Sequence, residues 1–183
     1  MNKEEARDLL QEYIQTDNLV KHSIAVSKVM GKLAEKLGEN SEKWEVVGLL
    51  HDIDFEETHD NPEQHSKKGA EMLKGRGFDD EFCQAVERHN DEHGLPRETS
   101  LDKALYCVDP VTGLIVASAL IHPDKSLKSI DRDFVMNRYD ETSFARGAKR
   151  YQIAGCQELG IDLEEFIDVA LTAMKENSDD LGL

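Results

Sequence analysis

The dipeptide His51-Asp52 closes the apolar run Val46-Val47-Gly48-Leu49-Leu50. An imidazole and a carboxylate side by side, where a buried segment emerges, are two metal ligands that a short stretch of backbone can aim at one ion. Three more residues share an inward phase. His22 precedes Val26, Val29 and Leu33 at offsets that put them on one helix face, His89 continues the stripe Phe82 and Val86, and Asp109 follows Leu105 by four. Ionisable groups are seldom buried without a partner or a metal, because desolvation costs several kcal/mol. A shared cation would satisfy all of them together, whereas a single inward histidine is equally a hydrogen-bonded core residue.

In order, His22, then His51-Asp52, then Asp109 resembles the HD superfamily of metal-dependent phosphohydrolases, over about residues 19 to 122, with the C-terminal third unmatched by any motif. His65, in His65-Ser66-Lys67-Lys68-Gly69-Ala70, and His89 stand where the binuclear branch carries its extra ligands, in the order H…HD…H…H…D. The resemblance implies an all-α helical bundle with metal ligands His22, His51, Asp52, His65, His89 and Asp109. It gives Asp52 the bridging role, with His22, His51 and Asp109 completing one ion and His65 and His89 the other. The chain departs from the common H-D-I-G-K variant, since Asp54 and Phe55 replace the glycine and lysine. That departure argues against the cyclic-dinucleotide phosphodiesterases of the superfamily.

Two close divalent ions acidify a bridging water and clamp phosphoryl oxygens, which is phosphoester hydrolysis. A nitrogen-rich ligand set with two carboxylates suits iron or manganese better than magnesium. For proton transfer the acidic stretch after the pair offers Asp54, Glu56, Glu57, His59 and Asp60. Asp54, one step from the ligand pair, is the strongest candidate to act catalytically beside Asp52, and Glu56 and Glu57 read equally as a solvated loop. Substrate anions need cations: Lys67 and Lys68 follow His65, and Arg146, Lys149 and Arg150 fall at i, i+3 and i+4 within the main basic concentration, which also holds Lys125, Lys128, Arg132 and Arg138. These either read phosphate or pair with surface acids. Thr112-Gly113 beside Asp109 either lets a substrate approach closely or serves helix packing. His59, His93 and His122 show no inward phase and read as surface or loop residues.

Helical periodicity must position these groups. It predicts helices over Glu4–Ile14, Asn18–Leu37 ending at Gly38, and Ser41 into His51-Asp52, then a polar loop from Ile53 to Asn61. Further helices are expected over Pro62–Lys74 with His65 in the first turn, from Asp79-Asp80 to His89, over Leu101–Leu120 interrupted at Pro110, over Ser143–Leu159, and over Leu163–Lys175. No strand alternation is present, so a single-domain helical bundle spanning 1–183 is expected.

At 183 residues the chain suits one domain with a sizeable core. Its 38 acidic against 22 basic residues give a formal net charge of -16, which disfavours long nucleic acids and anionic membranes as partners. A small phosphorylated metabolite or nucleotide fits better, because ions and local cations outweigh the global field at short range. Cys83, Cys107 and Cys156 form no C-x-x-C pair, the N-terminus is not a signal peptide, and no apolar run is read as reaching spanning length, so a cytoplasmic enzyme is expected. The resemblance leaves two rivals: a diiron oxygenase using the same ligand set, and a non-catalytic signalling or binding module.

Overall fold

The computed structural model describes residues 1–183 and contains helices, turns and no strand. Helix α1 (Lys3–Tyr13) starts at a capping box between Asn2 and Glu5 and buries Ala6, Leu9 and Leu10. Helix α2 (Asp17–Leu37) ends where Gly38 takes φ 73°, a left-handed cap that costs a glycine nothing. Helix α3 (Ser41–Leu50) is opened by the Asn40 side chain accepting from the Lys43 N–H.

Short α4 (Phe55–Thr58) and α5 (Lys67–Gly75) follow, then α6 (Asp80–His89), capped by Asp79. Helix α7 (Ser100–Ile121) starts at a Thr99/Asp102 capping box. The chain finishes with α8 (Arg132–Asp140), α9 (Arg150–Ile153) running into a 3₁₀ segment (Ala154–Leu159), α10 (Leu163–Glu176) and α11 (Ser178–Leu181).

Helix α7 is the spine. Leu105, Cys107, Val108, Val111, Leu114 and Ile115 are all fully buried, within one contiguous apolar core that runs from Ala6 to Leu181. By length and composition the most apolar stretch of α7 could cross a bilayer, contrary to the sequence expectation. That stretch is 67% buried inside the fold, so its apolarity is met by packing against other helices.

Several boundaries differ from the expectation. Pro110 does not interrupt α7, which runs unbroken through it; proline removes one backbone donor, and burial on both sides of it holds the helix together. His65 lies outside α5, because Ser66 adopts φ 69° and the helix begins only at Lys67. The acidic loop contains the single turn α4. The expected helix over Ser143–Leu159 is instead a run of turns to Lys149, with Ala145 at φ 44°, followed by α9 and the 3₁₀ segment. Helix α8 was not expected, and it carries only one buried residue, Val135, so its apolar stripe is too thin to read.

Candidate metal centre

Four elements deliver the ligand-type residues to one spot. His22 comes from α2, Asp109 from α7, His51-Asp52 from the end of α3, and His89 from the last residue of α6, with His65 on the turn before α5. Asp52 is their hub. Its Oδ1 lies 3.4 Å from the Nε2 atoms of His51, His65 and His89 alike, and its Oδ2 lies 3.7 Å from Nε2 of His22. Asp109 Oδ1 stands 3.0 Å from His22 Nε2 and 3.8 Å from His51 Nε2. Neighbouring imidazole rings are 5.1 to 5.2 Å apart, so the four form a continuous row.

The rings are held from behind so that Nε2 faces inward in every case. His51 Nδ1 lies 2.8 Å from the carbonyl of Gly48, and His89 Nδ1 lies 2.6 Å from that of Val86. A carbonyl only accepts, so Nδ1 carries a proton in either charge state, and Nε2 is the nitrogen that can give up its proton and offer a lone pair to a metal. Both acceptors belong to the last turn of the ligand's own helix, where carbonyls lack intrahelical partners. His22 Nδ1 is 3.3 Å from Thr112 Oγ1, whose hydroxyl donates to the Asp109 carbonyl at 2.8 Å. His65 Nδ1 is 3.1 Å from Asp54 Oδ1. Such outer partners fix the tautomer and orientation of metal-ligating histidines.

The electrostatics favour a cation. Burial works against charge on His51, but the Asp52 carboxylate and then Asp109 outweigh it and push its pKa up to about 8. For His65, burial is likewise overcome by hydrogen bonds to Asp52 and Asp54, up to about 10. Burial would raise the carboxyls, yet the His51 charge beside Asp52 and the His22 hydrogen bond to Asp109 hold both far below the usual range.

Does this set fit a metal? His51 Nε2 is buried without a hydrogen-bond partner and faces two carboxylates, an arrangement that a cation between them resolves. Ligands held about 2.1 Å from one ion lie about 3.0 to 3.4 Å apart, close to the 3.0 and 3.4 Å separations here. Two overlapping groups could each hold an ion, His22/His51/Asp109 and His51/Asp52/His89, with His65 beside the second through Asp52.

The centre opens on the side of His22 and Asp109, whose side chains are 25% and 29% exposed where His51 is 0%. A cleft of about 350 Å³ there is lined by His22, Asp109, Pro110, Gly113, Ala145 and Gln152, among others. Asp54 is not on this open side. It is fully buried behind His65, one oxygen toward the ring and the other accepting from the Ser66 N–H at 2.8 Å, so it is placed to orient the His65 ring and not to meet a substrate. Glu56 accepts from the backbone of Gln15 and Thr16 at the start of α2, Glu57 pairs with Lys68, and His59 and Asp60 are exposed.

The expected substrate cations scatter. Lys67 lines a separate surface hollow with Glu71, Lys74 and Asp80, and Lys68 is committed to Glu57. Lys149 binds Asp91 at 2.7 Å. The Arg150 guanidinium donates to the carbonyls of Arg138, Tyr139, Glu141, Phe144, Ala145 and Ala148, a structural clamp on the turn segment. Because that segment is not helical, Arg146, Lys149 and Arg150 share no helix face. Arg146 alone is exposed, between Ala145 and Gly147 at the lip of the cleft.

Sequence reasoning missed His93. It is not a bystander: its Nε2 lies 2.7 Å from the His65 carbonyl and 3.0 Å from Ser66 Oγ, gripping the turn that carries His65. Its signal was spacing alone, four residues after His89, and a 3₁₀ turn put it out of helical phase.

The fold is all-helical around this histidine and aspartate cluster, and residues 19–131 match the HD domain family, a family of metal-dependent phosphohydrolases. The chain belongs to that family, whose members bind divalent metals. It is 36% identical over 98 residues to Ribonuclease Y of Lawsonia intracellularis, a match covering 54% of this chain and 19% of that protein. Ribonuclease Y of Fervidobacterium nodosum is 41% identical over 73 residues, 40% of this chain and 14% of that one. An uncharacterized protein of Methanocaldococcus jannaschii is 28% identical over 149 residues, 77% of this chain and 86% of its own length. The chain thus spans under a fifth of the Ribonuclease Y relatives. No solved structure matches.

Proposed function

We propose that the protein hydrolyses a phosphoester or phosphoanhydride bond of a small metabolite or nucleotide, using divalent metal held by His22, His51, Asp52, His65, His89 and Asp109. The observation that carries this reading is the position of Asp52, with Oδ1 equidistant at 3.4 Å from three Nε2 atoms and Oδ2 turned toward the fourth. A carboxylate in that place is suited to bridge two ions, and two ions supply an acidified water and neutralise charge on a phosphoryl group. Manganese or iron suits the nitrogen-rich set.

The chain's own residues then have separable tasks. Thr112, Gly48, Val86 and Asp54 keep each imidazole proton on Nδ1, so that the Nε2 lone pairs stay free. His22 and Asp109, the two most exposed of the set, define the face a substrate meets. Arg146 at the cleft lip is the cation best placed to meet a phosphate.

Relatives named Ribonuclease Y support a phosphodiester among the candidate bonds. The net charge of -16 disfavours a long polynucleotide and favours a short or monomeric one. Three free, buried cysteines accord with a reducing cytoplasm.

The test is elemental analysis of the purified protein together with an anaerobic panel of phosphomonoesters, phosphodiesters and short oligoribonucleotides, with added manganese or iron. Phosphate or nucleotide release without oxygen supports the proposal. Strict dependence on oxygen would identify the diiron oxygenase reading instead, and stoichiometric metal without any turnover the non-catalytic one.

A further inference from the structure

Gly113 sits inside α7, one turn past Asp109, and it is exposed although most of its helix neighbours are buried. Glycine weakens a helix interior, so a packing need would be its usual excuse. There is none: a Cβ built at Gly113 meets no heavy atom within 4 Å. The space it leaves is open on two sides. One is the cleft over the metal centre, and the other is a groove of about 470 Å³ between α2 and α7; Gly113 and His22 line both.

That groove is walled by Ala25, Val116, Leu120, Leu181 and Leu183, with Asn18 and Lys21, the latter paired with Asp17, at its polar edge. On α7 the sequence Asp109, Gly113, Val116, Leu120 follows one helix face outward from the metal centre. From Gly113 to Leu120 this face runs about 10 Å at the α-helical rise. The volume is that of a small-molecule pocket, with an apolar wall from Ala25 to Leu183 and polar groups gathered toward Asn18, Lys21 and His22.

We infer that the α2/α7 groove is the subsite for an apolar or aromatic group carried on the substrate phosphate, and that Gly113 is kept bare to let that group pass from the metal centre into it. The inference deepens the phosphohydrolase reading and rests on it for the phosphoryl end. Bulk at Gly113 fills ligand space and not protein space, so Gly113→Leu should fold.

The test compares two non-hydrolysable probes on the manganese-loaded full chain by calorimetry: methylphosphonate and naphthylmethylphosphonate, which differ only in the ring system. The wild type should bind the naphthyl probe at least tenfold more tightly, and in Gly113→Leu and in Val116→Gln the ratio of the two dissociation constants should fall toward one. Equal affinities in the wild type, or a ratio that neither substitution changes, would overturn the subsite. If the naphthyl probe binds through Gly113 while methylphosphonate does not bind, the subsite stands and the phosphohydrolase reading falls. If neither binds, both fall.

Discussion

The Asp54 carboxylate lies 3.1 Å behind Nδ1 of His65, on the far side of the ring from Asp52, and it is completely buried there. The pair converts a residue that sits on a turn, outside any helix, into a rigid donor. Asp54→Asn should weaken the ion nearest His65 and His89 by about 10- to 100-fold, as loss of outer partners generally does, with the ion at His22 and Asp109 less affected. Competition titration with a chelating indicator reads both steps; an equal loss at both would contradict the geometry.

Asp52 is the hub and Glu57 a surface partner of Lys68. Asp52→Ala should abolish metal uptake and turnover, and Glu57→Ala should leave both within about twofold, because exposed ion pairs contribute little. Metal stoichiometry by elemental analysis checks the contrast.

His93 grips the His65 carbonyl and the Ser66 hydroxyl. His93→Ala should loosen the turn and reduce bound metal, whereas His93→Gln, which keeps a donor at a similar reach, should restore most of it. Rescue by glutamine is the readout that a general loss of packing would not give.

Arg88, next to His89, is locked to buried Asp102 at 2.6 Å, and the same Asp102 oxygen accepts from the backbone of Glu98 and Thr99. Burial alone would raise the Asp102 carboxyl, but those N–H groups and Arg88 hold it below the usual range. A lowered native value means that the contribution to stability is complete above the unfolded carboxylate range near pH 4 and is lost as pH falls through the native value. Asp102→Ala should therefore cost about 3 kcal/mol at neutral pH, and the difference from wild type should shrink on acidification, measured by denaturant melts at stepped pH.

Arg150 donates to six carbonyls of the segment that forms the cleft lip. Arg150→Met, which keeps an unbranched stem and loses the donors, should raise KM severalfold on any accepted phosphoester through disorder of the lip, with bound metal unchanged. Protease sensitivity near Ala145 should rise in parallel.

Much of the fold was legible because its helices obey simple rules: Gly38 ends α2, Asp79 opens α6, and apolar residues recur at helical spacing. The inward phases of His22, His89 and Asp109 likewise survive in the structure, since a residue's face follows from its offset along one helix. Where the reading failed, the deciding contacts join distant segments. Ser66 at φ 69° is held by Asp54 through its backbone N–H and by His93 through its hydroxyl, and no local pattern announces that. Arg150 ends a run of turns because its guanidinium finds carbonyls up to 12 residues away, so a spacing of three and four read as a helix face had no helix to lie on.

The histidines at the ends of α3 and α6 take their orienting contacts from carbonyls of their own last turn, Gly48 and Val86. If these rings hold metal, its release and the fraying of the two helix ends should be tied together kinetically. A ring can swing away from the centre only by surrendering the carbonyl that terminates its helix, and an unravelling last turn frees the ring to shift its proton to the other nitrogen. The dissociation of metal from this protein should consequently track the opening of those two helix ends, so that amide exchange in the last turns of α3 and α6 slows on loading while the middle of α7 is unmoved.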